Sequence, residues 1–334
     1  MLLTCNAVSL KMLLKPPRGA RPKLALGDLP AFVRDELDLH GLNLSTDLLA
    51  GATRSDLGVL RDRADKAGCA CLTLIEPEAL DLATENDSAR EAAIDRGRRV
   101  VEAAHVLGCS AAVVTLKDAK GEDTLEYAID SLRRLMSGAE KRDLHLLLAP
   151  GDGMTGDPDE LTDLVKKTGG FRIGTYPDLA VAAIMPDPDA YLRRITPYAA
   201  ALRAGLFEFR VDQIDLSEPE PEPEPKSKAE PAKAGAKAAA ADDEDVEEPT
   251  EEGEDDEGGS LQDLLASMSL DDLGPAELVT HTTYALEPLI QTITSVGYDQ
   301  TIGIEYRGKG DPVEGLRHAR AALEDALLRV QSPG

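Results

Sequence analysis

Two carboxylates stand at the ends of short apolar runs, where a charged side chain is unusual. Glu305 follows the apolar start of IGIEYRGKGDP (302–312), and Asp178 ends FRIGTYPD (171–178). A buried carboxylate is costly unless it has a partner. Two carboxylates that lie close together cannot both stay ionised without a cation, either a metal ion or a basic side chain. We therefore take Asp178 and Glu305 as candidate catalytic residues and candidate metal ligands.

Three basic residues follow or lie within similar apolar runs. Lys117 comes after SAAVVTL, Arg210 lies in LFEFRVD, and Arg307 follows Glu305 by two positions. Arginine and lysine at such positions are suited to bind an anionic ligand such as a phosphorylated sugar. Alternatively, they pair with the two carboxylates and close the site with ion pairs. The sequence leaves both interpretations open.

The elements that carry these residues alternate along the chain between short apolar runs and amphipathic helical patterns. This alternation predicts a parallel sheet covered by helices. Eight such units fit a closed (β/α)8 barrel, in which the functional residues lie at the carboxyl ends of the strands. An open doubly wound sheet is the alternative, but no Gly-rich fingerprint follows the first run. The predicted strands are SLKMLL (9–14), HGLNLS (40–45), ACLTLIE (70–76), SAAVVTLKD (110–118), LHLLLAP (144–150), FRIGTYPD (171–178), LFEFRVD (206–212) and TIGIEYRG (301–308).

Three stretches carry a family resemblance: GFRIGTYPDLAVA (170–182), VGYDQTIGIEYRGKGDP (296–312), and HGLNLSTDLL together with ACLTLIE. They resemble the sugar phosphate isomerase/epimerase family, which are xylose isomerase-like TIM barrels. The resemblance implies a single barrel domain over residues 1–334. It also implies one divalent metal, held by a Glu ending strand five, an Asp ending strand six, a His on strand seven and a Glu ending strand eight. Asp178 and Glu305 match the second and fourth of these ligands.

The other two ligands of the family pattern are missing. Ala149 stands at the strand-five Glu position, the predicted strand seven contains no His, and Val181 replaces a companion His. The five histidines fall in predicted helices or at predicted strand starts, with His281 expected in a helix from about 276 to 296. The family's metal site is thus incomplete, although an all-oxygen Mg²⁺ or Mn²⁺ site that adds Asp152 or Asp212 remains an alternative.

Composition limits the classes of function. The net charge of −26 repels nucleic acid and anionic membranes, and no apolar run reaches the ~20 residues of a membrane-spanning helix. Four cysteines without framework spacing indicate reduced thiols and a cytoplasmic protein. The Glu-Pro and acidic stretch at 216–260 predicts a disordered insertion after strand seven. It is either a solubilising segment or a docking segment for a basic protein.

The resemblance implies a sugar or sugar-phosphate isomerase or epimerase with impaired catalysis. In this interpretation Glu305 is the base and a metal ligand, Asp178 is a ligand, and Lys117, Arg210 or Arg307 holds a carbohydrate or sugar-phosphate substrate. The missing ligands favour a second interpretation, a non-catalytic binding or scaffold protein that has kept the barrel and lost the metal site.

Overall fold

Eight parallel strands form the central sheet of the computed structural model, which describes residues 1–214 and 276–331. Most residues of these strands are buried, as expected for a parallel sheet with both faces covered. The eight are β1 (Leu2–Asn6), β2 (Gly41–Ser45), β3 (Ala70–Ile75), β4 (Ala111–Val114), β5 (His145–Leu148), β6 (Ile173–Thr175), β7 (Ala201–Leu206) and β10 (Thr301–Tyr306).

The sheet curls into a barrel. The strand order is β6-β5-β4-β3-β2-β1-β10-β7, so the last strand along the chain pairs with the first. In that pair Cys5 lies opposite Ile304. The remaining seam, between β6 and β7, is joined by two isolated parallel bridges, Thr175 to Ala199 and Asp178 to Arg203. The (β/α)8 barrel predicted from the alternating pattern is therefore confirmed.

Helices connect the strands and cover the sheet. Capping residues in the sequence fix their ends: the Thr53 side chain accepts a hydrogen bond from the Asp56 N–H, and Gly68 ends the same helix in the left-handed conformation. The helices are α1 (Lys11–Leu14), α2 (Leu29–Leu37), α3 (Arg54–Ala67), α4 (Asp87–Leu107), α5 (Thr124–Glu140), α6 (Pro158–Thr168), α7 (Leu179–Ala183), α8 (Pro188–Ile195), α9 (Leu286–Ser295) and α10 (Pro312–Gln331).

Leucine, alanine, valine and isoleucine side chains make up most of the core between the sheet and the helices. Among the described residues, no helix is both long enough and apolar enough to cross a membrane.

Three predicted elements were placed wrongly. The first strand is residues 2–6, and the run 9–14 instead forms a short 3₁₀ turn and α1. The seventh strand is residues 201–206, so LFEFRVD begins where this strand ends. Residues 276–281 form a strand, not the start of a helix. In each case an apolar run was compatible with either strand or helix, and tertiary pairing decided between them.

A second, two-stranded sheet consists of β8 (Phe209–Ile214) and β9 (Ala276–His281). Contacts divide the chain into one unit of residues 1–211 and 279–334 and another of residues 212–278. The acidic insertion predicted at 216–260 lies outside the described residues.

Candidate functional site

Asp178 lies three residues after the end of β6 and caps the amino end of α7. Its Oδ1 accepts a hydrogen bond of 3.0 Å from the Ala180 N–H, and its side chain is fully buried. Its Oδ2 is 2.8 Å from Nη2 of Arg203 and 2.7 Å from Nη2 of Arg307. A buried carboxylate is thus matched by two guanidinium groups and a backbone N–H, which together offset its loss of hydration.

Glu305 lies near the carboxyl end of β10 and is almost fully buried. Its Oε1 accepts a hydrogen bond of 2.6 Å from Nε of Arg307. Its Oε2 accepts one of 3.2 Å from the Asn6 amide and a weaker one of 3.4 Å from Nη1 of Arg203. Both arginines therefore contact both carboxylates.

The charges in this cluster balance, since two carboxylates face two guanidinium groups. Burial acts to raise the pKa of Asp178, but Arg203 and Arg307 outweigh it, so this pKa lies below its ordinary value. Burial acts to lower the pKa of Arg203, yet Asp178 and Glu305 raise it overall. Asp178 and Arg203 are consequently held in their charged forms.

A cavity of about 270 Å³ opens beside this cluster, and we call it the mouth cavity. It lies at the carboxyl ends of the barrel strands, where the active sites of such barrels are built. Its polar lining includes Asn6, Asn43, Glu76, Tyr176, Arg203 and Glu305.

Two asparagines link the strands under the mouth cavity. Nδ2 of Asn43, on β2, donates hydrogen bonds of 2.8 Å to Oδ1 of Asn6 and 2.9 Å to Oγ1 of Thr4, both on β1. Asn6 in turn donates to Glu305. Gly303 on β10 leaves room for the two asparagine side chains, because a Cβ at that position would lie 2.6 Å from Nδ2 of Asn43 and 2.6 Å from Oδ1 of Asn6.

Two buried polar atoms in the wall of the mouth cavity have no hydrogen-bond partner. They are Oδ1 of Asn43 and the hydroxyl of Tyr176, on residues that are 3% and 0% exposed. Burial raises the pKa of Tyr176, so its hydroxyl keeps its proton. An unpaired buried polar group costs about 1–3 kcal/mol. Because both atoms are shielded from solvent, a ligand recovers this cost only if the two side chains turn towards the cavity.

Glu76 ends β3 and contributes a third carboxylate to the mouth cavity. Its buried side chain pairs with Arg96 on α4, with 2.6 Å between Oε2 and Nη2. Nη2 of Arg96 also donates to the Thr46 hydroxyl. Glu76 is therefore held in a fixed position with its charge balanced.

The donors around Asp178 and Glu305 do not fit the divalent metal that the resemblance implies. Within residues 1–214 and 276–331, no three His, Cys, Asp or Glu side chains are arranged to hold a metal ion. Ala149 lines the cavity where the family has its Glu. The carboxylate oxygens already accept hydrogen bonds from guanidinium nitrogens, which cannot serve as metal ligands.

The structure brings together some of the residues singled out in the sequence. Asp178, Glu305 and Arg307 meet at the carboxyl end of the barrel. Lys117 is exposed and pairs with Asp81, 3.2 Å away, and it does not line the mouth cavity.

Arg210 is exposed on β8, in the two-stranded sheet, and is also absent from the lining of the mouth cavity. His281 lies on β9, not in the predicted helix. Its ring packs against Phe209 and Tyr284.

The sequence reasoning missed Arg203, Asn6, Asn43 and Tyr176. Arg203 was overlooked because strand seven was placed after residue 205, although an arginine within AALRAGL is itself a buried-charge signal. Asn6 was missed because strand one was placed at 9–14, whereas Asn6 ends β1; Asn43 lies within β2, two residues before its end.

Comparison with known families matches residues 39–226 to the family described as xylose isomerase-like TIM barrel. No curated protein matches the sequence of the chain.

Solved structures with the same fold include 3-keto-D-glucoside 4-epimerase from E. coli, at 12% identity and a TM-score of 0.61, covering 97% of this chain and 99% of the other. L-ribulose 3-epimerase is 12% identical with a TM-score of 0.61, covering 92% of this chain and 90% of the other. A xylose isomerase-like protein from Mycobacterium smegmatis in complex with magnesium is 14% identical with a TM-score of 0.59, covering 98% and 97%. At these identities the similarity shows the fold. Because the family match spans more than half of the chain, this protein belongs to the xylose isomerase-like TIM barrel family.

Proposed function

We propose that this protein binds a small, uncharged carbohydrate in the mouth cavity. The observation that carries the proposal is the pair of unpaired buried atoms, Oδ1 of Asn43 and Oη of Tyr176, on residues that line the mouth cavity. A polyhydroxylated ligand offers both donors and acceptors to such atoms. The epimerases among the solved structures of the same fold are consistent with a ligand of this class.

The size and charge of the mouth cavity limit the classes of ligand that it can bind. Drug-sized ligands occupy pockets of roughly 300–1,000 Å³, so a cavity of about 270 Å³ suits a monosaccharide. Arg203, the basic residue that lines it, is already committed to Asp178 and Glu305. No unbalanced positive charge among the lining residues is left for a phosphate. We therefore favour neutral sugars over sugar phosphates.

Titration calorimetry with neutral monosaccharides and with the corresponding sugar phosphates tests this proposal. We expect a neutral sugar to bind more tightly than its phosphate, and the variant Tyr176→Phe to weaken binding. Tyr191→Phe is the matched control, because its hydroxyl is also buried and unpaired but lies outside the mouth cavity. Tighter binding of the phosphate, or an equal effect of the two variants, would refute the proposal.

A second candidate is an isomerase or epimerase that works without a divalent metal. It is favoured by Glu76 and Glu305, two carboxylates that line the same cavity. One of them would remove a proton from a carbon next to a carbonyl group, and the carboxylic acid so formed would return the proton to the enediolate. The Arg203 guanidinium would stabilise the negative charge that develops on the carbonyl oxygen.

Hydrogen exchange separates this candidate from simple binding. Each sugar that binds is incubated in D₂O with protein treated with a chelator, and NMR follows loss of the C–H signal next to the carbonyl. Catalysed exchange that Glu305→Gln abolishes would establish the enzyme. If a sugar binds but wild-type protein at high concentration catalyses no exchange, the binding function stands and the isomerase candidate is refuted.

A further inference from the structure

We infer that Asp178 and Glu305 form a binding site for a planar guanidinium cation, which the chain fills with its own Arg307. A single guanidinium group bridges the two carboxylates through two different nitrogens. Nε lies 2.6 Å from Oε1 of Glu305, and Nη2 lies 2.7 Å from Oδ2 of Asp178. Such a fork of donors is specific to guanidinium, because an ammonium or a spherical metal ion presents no fixed plane.

The hydrogen bonds of the carboxylates support this assignment, since all four oxygens are in use. Oδ1 of Asp178 accepts from the Ala180 N–H, and Oδ2 accepts from Arg203 and Arg307. Oε1 of Glu305 accepts from Arg307, and Oε2 accepts from the Asn6 amide and Arg203. Every oxygen already accepts a hydrogen bond from a nitrogen of the protein, whereas a metal would need several oxygen ligands to face it instead.

The neighbouring strand is shaped to admit the guanidinium. Gly205 on β7 lies directly opposite Glu305 in the sheet. A Cβ at Gly205 would lie 2.4 Å from Nη1 and 2.6 Å from Cζ of Arg307. The centre of the Phe207 ring lies 6.0 Å from Cζ of Arg307. The Tyr284 hydroxyl donates a hydrogen bond of 2.8 Å to the Gly205 carbonyl.

Arg203 explains why this site selects against a divalent ion even when Arg307 is removed. It reaches the same two carboxylates from β7 and remains in place as a permanent positive charge. With Arg307 gone, the cluster lacks one positive charge, not two. A monovalent planar cation restores the balance, whereas a divalent ion must also displace Arg203. This inference does not depend on whether a carbohydrate binds.

The test is chemical rescue of the variant Arg307→Ala. We expect its melting temperature to fall, and to rise again with low millimolar guanidinium chloride, because binding to the folded state stabilises it by mass action. Wild-type protein should show no such rise. Urea, which has a similar shape but no charge, and sodium chloride at equal ionic strength should not rescue the variant. Manganese chloride should not stabilise either protein.

Two further variants keep the inference open to refutation if Arg307→Ala does not fold. Arg307→Lys retains the charge without the fork, and we expect guanidinium chloride to stabilise it less than Arg307→Ala. Gly205→Ala removes room for the guanidinium and should lower the melting temperature of the otherwise intact chain, with no rescue. The inference is overturned if guanidinium chloride raises the melting temperature of neither arginine variant. It is also overturned if manganese raises the melting temperature of Arg307→Ala more than guanidinium does, or if the free Mn²⁺ signal in electron paramagnetic resonance shows that manganese binds wild-type protein.

Discussion

Asp178 and Arg203 show how one residue pair serves two purposes in this barrel. Their backbones form one of the bridges between β6 and β7, and their side chains form an ion pair at the same place. The N–H of Arg203 also donates to the Pro177 carbonyl at 2.8 Å. The charge pair that balances the carboxylate therefore also lies on the seam that closes the barrel.

Removing one member of this buried cluster is expected to be costly. Asp178→Asn keeps the shape and the hydrogen bond from Ala180 but leaves two guanidinium groups facing one carboxylate. Breaking a buried ion pair in this way costs about 3–5 kcal/mol of unfolding free energy. Arg203→Met should cost a similar amount, and the double variant should cost less than the two single changes together.

Urea denaturation checks this prediction, since guanidinium chloride would itself interact with the site. Glu91→Gln is the control, because Glu91 pairs with Arg134 on the exposed surface, where such pairs contribute little. Fully additive effects of the two buried substitutions would show that the residues do not act as a pair.

Among the elements, the turn that follows β9 is held by an imidazole. His281 is buried, its Nδ1 lies 2.9 Å from the Tyr284 carbonyl, and its Nε2 accepts a hydrogen bond of 3.3 Å from the Phe207 N–H. Nδ1 therefore carries the proton, and the ring is neutral. Burial lowers the pKa of His281, partly opposed by the Tyr284 carbonyl.

This geometry predicts a pH dependence of stability. The folded pKa of His281 lies below the value of about 6.5 in the unfolded chain, so the unfolded state takes up a proton first as the pH falls. The contribution of the neutral His281 ring to the free energy of unfolding is complete above the unfolded pKa. It is lost as the pH falls from the unfolded pKa through the folded pKa. Urea unfolding between neutral and mildly acidic pH should show a loss of stability that His281→Gln reduces. Equal slopes for the wild-type protein and the variant would contradict the prediction.

At the scale of the whole molecule, the barrel is closed by its first and last strands together with the seam between β6 and β7. The core that fills it is built, among the described residues, from side chains between Leu3 and Leu206 and between Val279 and Ala326. Apolar burial in this unit is therefore the main source of its stability.

The acidic stretch at 216–260 should be dispensable for this core. Its composition contains too little apolar surface to offset the entropy cost of ordering. We expect replacement of these residues by a short Gly-Ser linker to leave the thermal midpoint of the barrel close to that of the full chain, measured by circular dichroism. Wild-type protein is the reference, and loss of cooperative unfolding in the deletion variant would refute the prediction.

The sequence alone determined the alternation of strands and helices, and with it the barrel, because the apolar period of each element is a local property. It also indicated that Asp178 and Glu305 would meet, with Lys117, Arg210 or Arg307 as the basic partner, since parallel strands place their carboxyl ends at one rim. Only the tertiary structure decided that residues 201–206 form strand seven, because an apolar run does not reveal its own pairing register. That register brings Arg203 to the two carboxylates. Such contacts join residues far apart in the chain, so their geometry depends on the closed sheet as a whole.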